Sequence, residues 1–140
     1  MILYLDTSAL AKKYLLEEHS AEVVQLMRSS SLLTSSRVAY PEVRAAMARA
    51  LRVERITEVE HGRMIRELAA DWRGIERLTP DEALALRAGD LTYRYALRGF
   101  DAIHLASALT LQEGLGEAVS FSSFDSRLNE AAADCGLAVV

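Results

Sequence analysis

The sequence has little cysteine and no long apolar run, and both absences exclude whole classes of protein. Cys135 is the single cysteine among 140 residues, so no internal disulfide can form, and no histidine cluster accompanies it with zinc-finger spacing. No apolar run approaches the roughly 18 residues needed to cross a bilayer, and the segment 1–5 is too short for a secretory signal. We therefore expect a cytoplasmic protein that is not exported and has no membrane partner.

An excess of positive charge is also missing. The chain carries 16 Lys and Arg against 20 Asp and Glu, for a net charge of −4. A general attraction to nucleic acid is therefore excluded, and contact with a polyanion must be local. Lys12 and Lys13, like the pair Arg94 and Arg98, lie close in sequence to acidic residues and are candidates for phosphate contacts. The alternative is a solvated helix face with ion pairs, for example Arg94 with Asp90 at i,i+4 spacing.

The length and patterning predict one α/β domain that spans residues 1–140. Single cores usually run to about 100–150 residues, and a composition that is 51% hydrophobic and 26% charged is that of an ordinary globular core. Strands alternate with helices, and no linker, repeat or low-complexity segment interrupts them, which favours a mostly parallel central sheet. The predicted order is strand 2–5, helix from about 7, helix 21–28, strand 32–34, helix from Pro41, helix 57–72, strand 75–78, helix 81–97 closed by Gly99, helix from Asp101, strand 118–121, helix 125–133 and strand 137–140.

Four acidic residues occupy positions where an α/β sheet binds ligands. Asp6 and Asp125 each follow a strand at the edge where helices begin, and Glu42 and Asp101 lie in the first turns of two further helices. Helix capping is the alternative, because Asp before a helix is a common N-cap and Glu in the first turn complements the dipole. None of the three aspartates, however, is followed at the capping-box position by Glu or Gln.

Convergence of these acids would imply a metal ion. Carboxylates that face one another repel, and a divalent cation relieves that repulsion. Oxygen ligands without His or Cys select hard cations such as Mg²⁺ or Mn²⁺, which promote in-line displacement at phosphorus.

The segments around these acids resemble the PIN domain, and within it the VapC-type toxins of toxin–antitoxin pairs. The matching segments are 5–10 (LDTSAL), 40–43 (YPEV), 98–106 (RGFDAIHLA) and 121–128 (FSSFDSRL). The likeness covers essentially the whole chain and implies a three-layer α/β/α PIN-like domain with Mg²⁺- or Mn²⁺-dependent endoribonuclease activity. It also implies an RNA substrate, a cognate antitoxin as inhibitor and a homodimer.

The resemblance also assigns roles to individual residues. Those that stand where the family keeps its metal-binding acids are Asp6, Glu42, Asp101 and Asp125. Ser8 matches a hydroxyl that supports the site beside the first acid. Ser123 stands where many relatives have Thr, so the hydroxyl is kept and a methyl is lost.

One alternative to this interpretation stays open, namely a non-catalytic member of the same fold that only binds RNA or protein.

The role of His104 is a separate question. It lies one turn after Asp101 on the most apolar helix, where a histidine is more often packed and hydrogen-bonded than catalytic. The pattern therefore favours a structural role for His104.

Overall fold

The computed structural model describes residues 1–140, arranged as five strands and seven helices. The elements are β1 (Ile2–Leu5), α1 (Thr7–Ala11), α2 (Ser20–Ser29), β2 (Leu32–Ser36), α3 (Ala39–Arg52), α4 (Glu58–Trp72), β3 (Glu76–Leu78), α5 (Glu82–Tyr95), α6 (Gly99–Leu115), β4 (Val119–Ser122), α7 (Ser126–Asp134) and β5 (Ala138–Val139). Every strand pair is parallel, in the order β3-β2-β1-β4-β5.

The central strand β1 is buried on both faces and so separates two hydrophobic cores. Leu3 and Leu5 pack in one core with residues of α1 to α4, whereas Tyr4 packs in the other with residues of α5, α6 and α7. Because successive side chains of a strand point to opposite faces, this short apolar run fills both layers. The structure therefore confirms the predicted three-layer α/β/α architecture with a parallel sheet.

The strand order reverses between β1 and β4, and this reversal creates a crevice at the carboxyl edge of the sheet. From β1 the chain proceeds to β2 and β3 on one side, and from β4 it proceeds to β5 on the other. The loops that leave β1 and β4 therefore diverge, which is where open α/β sheets bind ligands. Asp6 follows β1 directly, and Ser123 follows β4.

Three predicted helix boundaries are wrong. The helix assigned a start at Pro41 begins at Ala39, because proline is tolerated throughout a first turn, where its missing N–H has no helical partner. Gly99 does not close the helix before it. Ala96 does so in the left-handed conformation, and Gly99 is instead the first residue of α6, which therefore begins two residues before Asp101.

None of the seven helices combines the length and the apolar character needed to span a membrane.

Candidate active site

Asp6 is a buried carboxylate held by three donors at the end of β1. Its Oδ1 atom accepts hydrogen bonds from Ser8 Oγ at 2.7 Å and from the Ala9 backbone N–H at 2.8 Å, and its Oδ2 atom accepts one from Ser123 Oγ at 2.6 Å. The bond to Ala9 is a helix N-cap, so the capping interpretation applies to Asp6 as well. Burial raises the pKa of Asp6, and His104 and the three donors act in the opposite direction.

Ser8, in the first turn of α1, and Ser123, directly after β4, connect these two segments. Ser8 Oγ also accepts a hydrogen bond from the Phe124 backbone N–H at 2.9 Å, and Ser123 Oγ accepts one from the Asp125 backbone N–H at 3.1 Å. Both hydroxyls therefore contact Asp6 and the loop after β4 at once, and they fix Asp6 relative to the segment that carries Asp125.

Glu42 lies in the first turn of α3 and is held through one oxygen atom. Its Oε1 atom accepts a hydrogen bond from Thr7 Oγ1 at 2.5 Å and lies 3.1 Å from His104 Nε2. Burial raises the pKa of Glu42, but the hydrogen bonds from His104 and Thr7 outweigh it, and the pKa lies below its usual range. Glu42 is therefore ionised at neutral pH.

Asp101 and Asp125 share one arginine. Arg98 Nε lies 3.3 Å from Asp101 Oδ2, and an Arg98 terminal nitrogen lies 3.7 Å from Asp125 Oδ2. Asp125 is also the N-cap of α7, where its Oδ1 atom accepts from the Leu128 backbone N–H at 2.9 Å. The Arg98 side chain is 84% exposed, so these exposed ion pairs hold it weakly.

We call the carboxyl edge of the sheet that carries Asp6, Glu42, Asp101 and Asp125 the acidic rim. Two adjoining hollows lie along it. The first, of about 560 Å³, is lined by Glu42, Arg98, Gly99, Phe100, Asp101 and Ile103. The second, of about 370 Å³, is lined by Ala96, Leu97, Arg98, Asp101, Asp125, Ser126 and Arg127. Asp101 and Arg98 belong to both, so one continuous surface joins three of the four acids.

The structure connects the four acids in pairs and does not gather them around one point. Ser123 connects Asp6 with Asp125, Arg98 connects Asp125 with Asp101, and a shared hollow connects Asp101 with Glu42. No three His, Cys, Asp or Glu side chains lie close enough together to hold a metal ion. The donors nevertheless fit Mg²⁺ or Mn²⁺ in kind, because every candidate ligand is an oxygen and two of the carboxylates already face a cationic group.

The sequence does not indicate several contacts that the structure shows, and one ion pair that it suggests is not formed. The sequence pattern gives Thr7 no separate role, although its place directly after Asp6, at the start of α1, is a signal that it lies near the candidate site. Arg98 binds two acids of the site. Arg94 does not pair with Asp90; its terminal nitrogen lies 3.9 Å from Asp134 on α7, because its long exposed side chain reaches the neighbouring helix.

Another hollow, of about 440 Å³, contains none of the four acids. It is lined by Lys13, Val24, Met27, Arg28, Leu33, Ala70, Asp71 and Gly74. Its one carboxylate, Asp71, is bound by Lys13 Nζ and by the Tyr14 hydroxyl.

Comparison with known proteins identifies the family. The sequence model of the PIN domain family matches residues 3–134, so the chain belongs to that family. Ribonuclease VapC45 and Ribonuclease VapC49, from Mycobacterium tuberculosis strains CDC 1551 / Oshkosh and ATCC 25618 / H37Rv respectively, are each 37% identical to it over 139 residues, 99% of this chain and 94% of the relative. Ribonuclease VapC46 from the second strain is 33% identical over 138 residues, 99% of this chain and 95% of that protein.

A solved structure supports the fold independently. A chain in a structure of FitAB bound to a DNA fragment superposes with a TM-score of 0.71 at 19% identity, over 99% of this chain and 94% of that one. At this identity the likeness concerns the fold alone.

Proposed function

We propose that the protein is a metal-dependent endoribonuclease that hydrolyses RNA phosphodiester bonds and serves as the toxin of a toxin–antitoxin pair. The observation that supports this most is the buried Asp6 carboxylate, which Ser8 and Ser123 hold where the strand order of the PIN fold reverses between β1 and β4. The relatives of the chain are named ribonucleases. Residues 1–140 would act as one domain.

The residues that would hold Mg²⁺ or Mn²⁺ are Asp6, Glu42, Asp101 and Asp125. When bound, the cation supplies charge neutralisation at the phosphate and a more acidic attacking water. Ser8 and Ser123 hold Asp6 in place, and Thr7 holds Glu42. Arg98 partly neutralises Asp101 and Asp125, and its exposed guanidinium group is available to a phosphate oxygen of the RNA.

The partners follow from the same family. The RNA substrate would offer single-stranded or loop segments, since unstacked regions are those that proteins read most readily. A cognate antitoxin would cover the acidic rim, and the protein would act as a homodimer in the cytoplasm.

Cleavage of RNA in the presence and absence of a chelator tests the proposal. The purified protein is incubated with several RNA pools and Mg²⁺ or Mn²⁺, and we expect fragments that disappear with EDTA. Asp101→Asn should abolish them, because it removes a charged ligand and keeps the shape of the side chain. Asp90→Asn, an exposed acid on α5, is the matched control and should cleave like the wild type.

The opposite outcome would favour the non-catalytic alternative. If no RNA pool yields cation-dependent fragments while the protein still retains RNA in a binding assay, the protein is a binding module of the PIN fold and the nuclease proposal is wrong.

A further inference from the structure

His104 is a buried histidine with a partner on each ring nitrogen. It is 1% exposed and lies on α6 one turn after Asp101. Its Nδ1 atom lies 2.9 Å from the Tyr4 hydroxyl, and its Nε2 atom lies 3.1 Å from Glu42 Oε1 and 3.0 Å from Thr7 Oγ1. A histidine that only filled the core would not need a carboxylate of the acidic rim as a partner.

The Tyr4 hydroxyl is in position to donate to one ring nitrogen of His104. Tyr4 is fully buried and its ring stacks on Phe121, with 5.6 Å between centroids, so the hydroxyl is fixed in position. A phenol hydroxyl can donate as well as accept, so Tyr4 can donate to the Nδ1 atom 2.9 Å away. If the Tyr4 hydroxyl donates to His104 Nδ1, the ring proton lies on Nε2.

The Nε2 proton faces a group that can only accept. Ionised Glu42 has no proton to give, so a separation of 3.1 Å from His104 Nε2 is favourable only if that nitrogen is the donor. Thr7 Oγ1 donates to the same Oε1 atom. The Oε2 atom of Glu42 has no hydrogen-bond partner in the protein, and Glu42 lines the larger hollow together with Asp101.

We propose that His104 is a positioning residue, oriented by Tyr4, whose Nε2–H holds Glu42 Oε1 so that Oε2 stays free to bind the divalent cation. The inference rests on the proposed function, because it gives Glu42 the role of a ligand. Partners that orient ligating groups in this way change cation affinity and activity by about 10–100-fold when they are removed.

Nitrogen-15 NMR of the imidazole tests the hydrogen-bond arrangement without any metal. In the wild-type protein we expect a protonated Nε2 and an unprotonated Nδ1 at His104. Tyr4→Phe keeps the ring and its stacking on Phe121 but removes the donor, and it should weaken this tautomer preference. A ring protonated at Nδ1, alone or together with Nε2, would contradict the orienting role of Tyr4.

Titration with Mn²⁺ tests the consequence for Glu42. His104→Leu should weaken Mn²⁺ binding by about 10–100-fold. His104→Gln should restore part of the affinity, because its amide nitrogen can replace Nε2 as donor, whereas His104→Asn is too short to reach. Tyr4→Phe should weaken binding less than His104→Leu does. Tyr14→Phe, which removes another buried hydroxyl bonded to Asp71 on α4, is the matched control and should bind Mn²⁺ like the wild type.

The outcomes separate this inference from the proposed function. If the wild type binds Mn²⁺ and the His104 and Tyr4 variants, folded by circular dichroism, bind it equally well, His104 does not position Glu42 and only the further inference is wrong. If His104→Leu does not fold, the Tyr4→Phe and His104→Gln results decide in the same way. If the wild type binds no Mn²⁺, the metal-dependent function fails, and the positioning role of His104 fails with it.

Discussion

At the scale of single residues, Asp6 shows how a buried charge is kept. An isolated carboxylate inside a protein would be strongly unfavourable, but three donors offset the loss of water around Asp6. Two of the donors are serine side chains, Ser8 from α1 and Ser123 from the loop after β4, so both segments stabilise the charge. Asp6 therefore couples the strand ends of β1 and β4.

Ser123→Ala should lower the free energy of unfolding. It removes the donor to Asp6 Oδ2 and the acceptor of the Asp125 backbone N–H, and the loss of a hydrogen bond to a buried charged group costs about 1–3 kcal/mol. Urea unfolding followed by circular dichroism measures the change. Ser29→Ala, an exposed serine at the end of α2, should alter the free energy by less than about 0.5 kcal/mol. An equal effect of the two substitutions would show that the Ser123 hydroxyl does not stabilise Asp6.

The sequence predicts which acids stand at the ends of elements, but it does not predict their partners. Thr7 and Glu42 are 35 positions apart, His104 and Glu42 are 62 apart, and Tyr4 and His104 are 100 apart. Periodicity tells which face of a helix is apolar and carries no information about which remote side chain meets it. The interpretation of His104 as a packed residue agrees with its burial, and its contact with Glu42 required the packed structure.

At the scale of elements, the sequence predicts the alternation of strands and helices but not where α5 ends and α6 begins. Runs of apolar residues at a fixed period extend over many positions and identify each element. A helix end depends on one residue, and at this junction Ala96 adopts the left-handed conformation although Gly99 follows three positions later. Glycine favours such an end but does not compel it.

Ala96→Gly should raise the free energy of unfolding by up to about 1 kcal/mol, because alanine pays a steric cost at φ 54° that glycine avoids. The matched control is Ala85→Gly, an exposed position inside α5, which should lower the free energy by about 0.5–1 kcal/mol. Urea denaturation of both variants tests the pair. Changes of the same sign would mean that the backbone conformation of Ala96 does not limit stability.

At the scale of the whole molecule, negative charge is distributed so that one edge of the sheet carries four acids while the net charge is only −4. The ends of β1 and β4 and the starts of α3, α6 and α7 all meet at this edge. The fold thus places along one edge four carboxylates that would separate in the unfolded chain. A cation that relieves their repulsion should therefore stabilise the folded state over the unfolded one.

Added Mg²⁺ or Mn²⁺ should raise the melting temperature of the wild-type protein, since a ligand at 100 times its dissociation constant stabilises the folded state by about 2.7 kcal/mol. Asp101→Asn should lose most of this gain, because it removes one charge from the acidic rim, whereas Asp90→Asn on the exposed face of α5 should keep it. Differential scanning calorimetry at constant ionic strength measures the shift, with choline chloride in place of the divalent salt to account for general screening. A gain that is the same in all three proteins would assign the effect to nonspecific binding and would contradict a cation site at the acidic rim.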